Sequence, residues 1–384
     1  MTAKPNVNLI ATLPKSGTWY SHTFFWYYGE LLRHADEFLA GNFQPDLETI
    51  LKNQKMSQET YHPDTLGVDK LYIMHSTCPG FHDLNDTRYS IWQTLHFPNM
   101  GYNLGEPHFD RTNDIELLNP KTNSDARIIY LYRNPLDHFI SYYHHTLKHK
   151  DNRHRLKTLT DGSQSPITDL RDFVFEYSAL GAFIKHFYTF KQMQQKYPAN
   201  VLMMPYESLT TDPAEGFAKI LEFMGAAPDS PTKQILFKEA LLNSSKESLS
   251  AIENKLNMAL AGDQTGNEKH IRDGAIGKWQ QQFNEDDIAM IEAALNIFGI
   301  SLNDFKLVNT DDTIKIPETP VPTKQLHQAE FIKHQAQLSA TPVTLTLKEK
   351  LDEVSSLVDS MKSSHSWRVT APLRAISTLV KKLA

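Results

Sequence analysis

Cysteine is nearly absent from this chain. Cys78 is the one thiol in 384 residues, so an internal disulfide framework is excluded and a reducing compartment is expected. No apolar run reaches the roughly 18 residues that a membrane-crossing helix needs. Positive charge is not in excess: 39 Lys and Arg stand against 45 Asp and Glu, for a net charge of -6. A nucleic-acid-binding surface would want the opposite balance, so no nucleic-acid partner is expected. Glycine is missing from the whole stretch before Gly17. That absence removes the Gly-x-x-x-x-Gly-Lys-Ser/Thr pattern of ATP- and GTP-binding loops, because Lys15 precedes the first glycine. The first strand candidate starts close to Met1 and leaves no room for a secretory signal, so the expected location is cytoplasmic.

What is present is concentrated near the start. Val7 to Leu13 is a short apolar run free of proline and glycine, and reads as a strand. Pro14-Lys15-Ser16-Gly17-Thr18-Trp19 follows, then an aromatic-rich segment to Leu32 with apolar residues at helical spacing. A loop that enters a helix exposes unpaired backbone N–H groups at the positive end of the helix dipole, which is a ready-made anion site. Lys15 adds a full charge, Ser16 and Thr18 add hydroxyls, and Gly17 lets the backbone approach closely. The plainer alternative is an ordinary strand-to-helix turn that carries a lysine.

Arg127 to Tyr132 is apolar throughout its middle, as a central parallel strand should be. It runs into Arg133-Asn134-Pro135-Leu136-Asp137 and then a helix from about His138 to His149, a second strand–loop–helix unit. A Mg²⁺-nucleotide site would want an acid at such a strand end, and arginine stands there instead. Arg133 offers a planar fork suited to phosphate, and Ser141 lies in the first turns of the helix. The competing reading is a capping salt bridge between Arg133 and Asp137. Lys70 to Met74 is a short strand ending at His75, and polar groups at strand ends of an open α/β sheet point into the usual ligand crevice. A histidine that merely caps the strand remains open.

Further along, 76–120 reads as a long irregular insertion and Lys150 to Thr168 as a polar excursion. Asp172 to Tyr197 reads as one helix, Val201 to Met204 as a strand followed by Pro205-Tyr206-Glu207, and Asp212-Pro213 as the opening of a helix to Met224. Leu236 to Lys255 reads as one helix containing Ser244 and Ser245, and Asp286 to Phe298 as the last of the domain. Alternating strands and helices predict an α/β domain over 1–310, with a parallel sheet flanked by helices. Residues 311–346 form a linker, stiff at Pro317 to Pro322. Residues 347–384 form a helical tail, with heptad-like spacing from Leu347 to Met361 and a basic amphipathic segment from Leu373. Such a tail offers a homodimer contact, a protein partner or peripheral attachment to the inner face of a membrane.

Three stretches together resemble the sulfotransferases that use 3′-phosphoadenosine 5′-phosphosulfate (PAPS). The loop from Pro14 to Trp19 is similar to that family's 5′-phosphosulfate loop. Tyr132 to Asp137, running on to Ser141-Tyr142-Tyr143, is similar to its 3′-phosphate motif. Arg272-Asp273-Gly274-Ala275-Ile276-Gly277-Lys278-Trp279 resembles its third motif, Arg-Lys-Gly-x-x-Gly-Asp-Trp. The resemblance implies a P-loop-like fold, PAPS as co-substrate with PAP as product, and no metal. It implies that Lys15, Ser16, Gly17, Thr18 and Trp19 bind the 5′-phosphosulfate side, with Lys15 also catalytic. Arg133, Ser141, Arg272, Asp273 and Gly274 fall on the 3′-phosphate side. Tyr20 and Tyr206 fall near the adenine, and Ser244 or Ser245 matches an adenine-contacting hydroxyl loosely. His75 falls where the family has its general base, a task that suits a group titrating near neutrality. His96 and His108 also lie between the two loops, but neither ends a strand.

Two departures stand out: Asp273 replaces the family's usual lysine and Lys278 its usual aspartate. The resemblance implies a hydroxyl acceptor. The tail's Ser366 to Arg374 is similar to a segment at the ends of bacterial proteins of surface-polysaccharide assembly, which tilts the acceptor toward carbohydrate. The rivals are a P-loop kinase-like phosphotransferase and a non-catalytic nucleotide- or glycan-binding assembly protein.

Overall fold

The computed structural model describes residues 5–52, 58–75, 115–120, 123–148, 156–158, 164–176, 179–256, 277–296 and 298–305. His96, His108, Arg272, Asp273, Gly274, the 311–346 linker and the 347–384 tail lie outside the described residues, as does most of the 76–120 insertion.

Four parallel strands form the central sheet in the order β2-β1-β3-β6. They are β1 (Val7–Thr12), β2 (Lys70–His75), β3 (Arg127–Tyr132) and β6 (Val201–Pro205). A small antiparallel pair, β4 (Leu156–Thr158) and β5 (Gln164–Pro166), forms a separate sheet within the Lys150 to Thr168 segment, expected to be a polar excursion. All six residues of β1 are buried, because helices cover both faces of the sheet and each face needs apolar side chains.

The alternation of side chains along the strands sorts the core into two layers. Val7, Leu9 and Ala11 of β1 and Ile128 and Tyr130 of β3 pack in one layer. Ile10, Ile129 and Leu131 pack in the other. The first layer is closed by α2 (Pro135–Lys148), α3 (Ala179–Lys196) and α8 (Glu285–Asn296), through Phe139, Phe183 and Ile291. The second is closed by α1 (Thr18–Arg33), α5 (Pro213–Met224) and α6 (Pro231–Asn243), through Phe24, Phe217 and Phe237. Phe24 stacks on Phe217 with ring centroids 3.9 Å apart, which ties α1 to α5. Shorter elements include α4 (Tyr206–Thr211) directly after β6, α7 (Lys246–Leu256), and short helices at Ala35–Leu39, Leu47–Lys52 and Pro63–Leu66 between α1 and β2.

Two helices expected to be continuous are divided. Asp172–Glu176 is a π-helical turn ahead of α3. The helix through Ser244 and Ser245 breaks at those residues into α6 and α7. Ser244 Oγ donates back to the Ala240 carbonyl at 2.7 Å, and Ser245 Oγ accepts from the Ser248 N–H at 3.3 Å. Serine side chains that compete for backbone groups favour such a stop and restart over an uninterrupted helix.

Register brings the functional loops to one edge. Thr12 pairs with His75 on one side and with Leu131 on the other, and Tyr132 pairs with Pro205. The loops after β1 and β3 then lead to helices on opposite faces of the sheet. Such a switch point is where open α/β sheets bind ligands.

Candidate functional site

The loop after β1 is shaped as an anion cradle. Lys15 has φ 69°, a left-handed conformation rare for a side chain of its kind, and strain of this sort concentrates at functional loops. Gly17 has φ 94° and caps α1. It is also needed for space, since a Cβ there would stand 2.7 Å from Cδ2 of Tyr206. The Ser16 N–H closes the turn by donating to the Leu13 carbonyl at 3.1 Å. The Ser16 hydroxyl is fully buried and has no partner among the described residues, a cost that a bound anion would remove. The Thr18 hydroxyl is hydrogen-bonded to that of Thr12, which pins the first turn of α1 to the end of β1.

Arg133 arrives from β3, with only 6% of its surface exposed. Its Nη1 donates to the Lys15 carbonyl at 3.4 Å. Its guanidinium lies over the Tyr206 ring, 5.1 Å from the centroid. The same ring meets Gly17, so Gly17, Arg133 and Tyr206 form one contiguous group contributed by three strand ends. Cationic groups over aromatic faces are attracted by the ring quadrupole, and here the contact also orients the fork. Among the described residues, no salt bridge joins Arg133 to Asp137. Asp137 is buried, and its Oδ2 accepts from the Gly277 N–H at 2.8 Å, while Glu207 stands beside Arg133, with Nε–Oε1 3.9 Å. Asp137 therefore joins the Arg133 stretch to the Gly277–Trp279 end of the third stretch, and Trp279 packs on the first core layer.

Among the remaining residues of the expected site, Ser141 is partly exposed on α2. Trp19 sets its ring 5.5 Å from that of His22. Tyr20 packs edge-on against Phe217 at 5.0 Å, and burial, with Tyr206 and Glu247 nearby, pushes its phenol pKa well up. Glu247 lies in the first turn of α7, two residues after Ser245, so the Ser244–Ser245 junction adjoins in sequence a carboxylate that acts on Tyr20. His75 ends β2 in register with Thr12, at the edge where the cradle begins.

Two groups here were not singled out from the sequence. Glu207 is 2% exposed and its Oε1 accepts from the Asn134 N–H at 3.0 Å. Burial raises its pKa, opposed by that N–H and by Arg133. Its place directly after Tyr206 was the one available signal.

The second group, His138, is buried on α2 among Phe139, Tyr142 and Phe183, and its Nδ1 has no partner among the described residues. Burial, with Arg133 and His186 nearby, pushes its pKa down to about 3. The unfolded chain therefore binds a proton at His138 below about pH 6.5 that the folded chain refuses, so this group costs stability as pH falls from there. His138→Phe should abolish that loss, worth about 2 kcal/mol between about pH 6.5 and about pH 5. Urea unfolding at both pH values, wild type beside variant, measures it; equal acid losses would contradict the burial argument.

A family model described as the sulfotransferase domain matches residues 5–306. The chain belongs to the sulfotransferase family. Among the relatives of this sulfotransferase chain is "Cytosolic sulfotransferase 17" of Arabidopsis thaliana, 24% identical over 180 residues, covering 45% of this chain and 49% of that protein. Another is "Flavonol 3-sulfotransferase" of Flaveria bidentis, 26% identical over 179 residues, covering 45% of this chain and 54% of that protein. The chain thus spans about half the length of the curated relatives it matches. Among solved structures, retinol dehydratase in complex with retinol and PAP is similar, with 17% identity and a TM-score of 0.42 over 82% of this chain and 85% of that one. Among the described residues no helix is long and apolar enough to cross a membrane.

Proposed function

We propose that this sulfotransferase-family chain moves the sulfuryl group of PAPS to a hydroxyl acceptor. The observation that carries the reading is the meeting of Lys15, Gly17, Arg133 and Tyr206 at one sheet edge, with the buried Ser16 hydroxyl unpartnered among the described residues. This constellation suits an anionic nucleotide gripped by cations, amides and hydroxyls. Lys15, Ser16 and the amides at the start of α1 would hold the 5′-phosphosulfate, and Arg133 and Ser141 the 3′-phosphate. Tyr206 and Tyr20 would lie toward the adenine.

Bound PAPS supplies an activated sulfuryl group. Lys15 balances the negative charge that grows on the bridging oxygen as the sulfur–oxygen bond breaks, and His75 accepts the proton of the acceptor hydroxyl. Most of the rate enhancement then comes from positioning and electrostatics. The acceptor we propose is a carbohydrate hydroxyl, on the strength of the tail's Ser366 to Arg374. A phenolic acceptor is the second reading, favoured by the flavonol in the name of a relative. Initial rates with labelled PAPS across glycan and phenolic acceptors decide between them.

The nucleotide reading has its own test. Arg133→Ala should weaken PAP binding by about 10–100-fold, the loss expected for a charge-assisted contact. It should raise the KM for PAPS and leave that for the acceptor nearly unchanged. Calorimetry that finds PAP affinity unaltered removes Arg133 from the site. ATP with Mg²⁺ should not raise the Tm, and PAP should; the reverse result would favour the kinase-like alternative.

A further inference from the structure

A carboxylate buried beside an anion-binding arginine presents a conflict. By charge alone, Glu207 should weaken the hold of Arg133 on a phosphate. Burying it also costs free energy unless it is paired and hydrogen-bonded. The contacts of Glu207 are local to the site. Its Oε1 accepts from the Asn134 N–H at 3.0 Å and stands 3.9 Å from Arg133 Nε. It therefore ties the start of α4 to a loop 73 residues earlier in the chain. The residue before it, Tyr206, supplies the ring on which the guanidinium lies, and the Lys15 carbonyl accepts from Nη1 on the other side. Among the described residues these three neighbours surround the guanidinium, Glu207 at ion-pair distance from Nε, and of the three only Glu207 also holds the backbone that carries it.

We infer that Glu207 is a positioning residue that aims Arg133, and thereby sets how strongly the site prefers a nucleotide bearing a 3′-phosphate to one without it. The gain from holding the fork in place exceeds the repulsion between the two negative groups, because a guanidinium loses affinity steeply when its two parallel hydrogen bonds are misaligned. The inference rests on the nucleotide reading above, and a purely structural role for Glu207 makes a different prediction. A brace that only stabilises α4 would, when removed, weaken all nucleotides alike and lower the Tm.

The test is the ratio of affinities for PAP and 5′-AMP, by calorimetry, in wild type, Glu207→Ala and Glu207→Gln. Glu207→Ala should shrink that ratio by about tenfold with 5′-AMP affinity unchanged. Glu207→Gln keeps a carbonyl for the Asn134 N–H and should shrink it by about threefold. Should the alanine variant fail to fold, the glutamine variant carries the result. A ratio that is unchanged, or that rises because a negative charge has been removed, overturns the inference, as does an equal loss for both nucleotides. A wild-type protein that shows no preference for PAP overturns the nucleotide reading itself, and that is read before any variant is made.

Discussion

Lys15→Ala should leave a folded protein whose turnover falls by about 10²–10³-fold, the range found when one preorganised donor to a developing oxyanion is lost. The effect is large because Lys15 cannot be replaced by its neighbours. Its backbone is held at φ 69°, and its carbonyl is turned toward Arg133, 3.4 Å from Nη1. The side chain therefore leaves the loop in a direction fixed by the strained turn, at the edge where β1, β2 and β3 end together. Initial rates at saturating PAPS and acceptor, with thermal unfolding as the control for folding, measure it. Near-normal turnover in a folded variant would remove the cradle assignment.

His75→Asn should abolish turnover, by about 10²–10⁴-fold for a lost general base, while PAP affinity stays as in wild type. Two observations motivate the choice of this histidine. It is the last residue of β2, and its backbone is in register with Thr12, so the sheet holds it level with the start of the loop that carries Lys15. A base must sit within hydrogen-bond reach of the proton that it removes, and a strand end gives that reach without an ordering cost. The paired measurement is His108→Asn. An active His75→Asn enzyme beside a dead His108→Asn enzyme would transfer the role to the insertion.

The strands that matter were legible because they are buried on both faces. β1 and β3 are mostly apolar runs, interrupted by Asn8 and Thr12 in β1 and opened by Arg127 in β3, and the structure places them almost residue for residue. The helix opening at Asp212 was legible for another local reason, as its carboxylate accepts from the Glu215 N–H and proline takes the first helical position. The break at Ser244 was not, because neither proline nor glycine marks it and the competition comes from side-chain hydroxyls. In the site, residues that immediately follow strands were legible, since position alone assigns Lys15, Arg133 and Tyr206 to one edge. Glu207 and Asp137 were not. Each acts on a backbone N–H far away in the chain, on Asn134 and on Gly277, and no local pattern encodes a partner 73 or 140 residues distant.

The close approach of Gly17 to Tyr206 also restricts how the sequence can change over time. A side chain at 17 meets the Tyr206 ring before any ligand arrives, and it does so in a backbone conformation that few residues tolerate. A smaller residue at 206 would make room, but it would strip the surface beneath the Arg133 guanidinium. Substitutions at the two positions are therefore not independent: each alters what the other can accept, as residues in contact do. Changes on the exposed faces of α5 and α6 touch none of these contacts, whereas a change at 17, 133 or 206 bears on the other two through the Tyr206 ring.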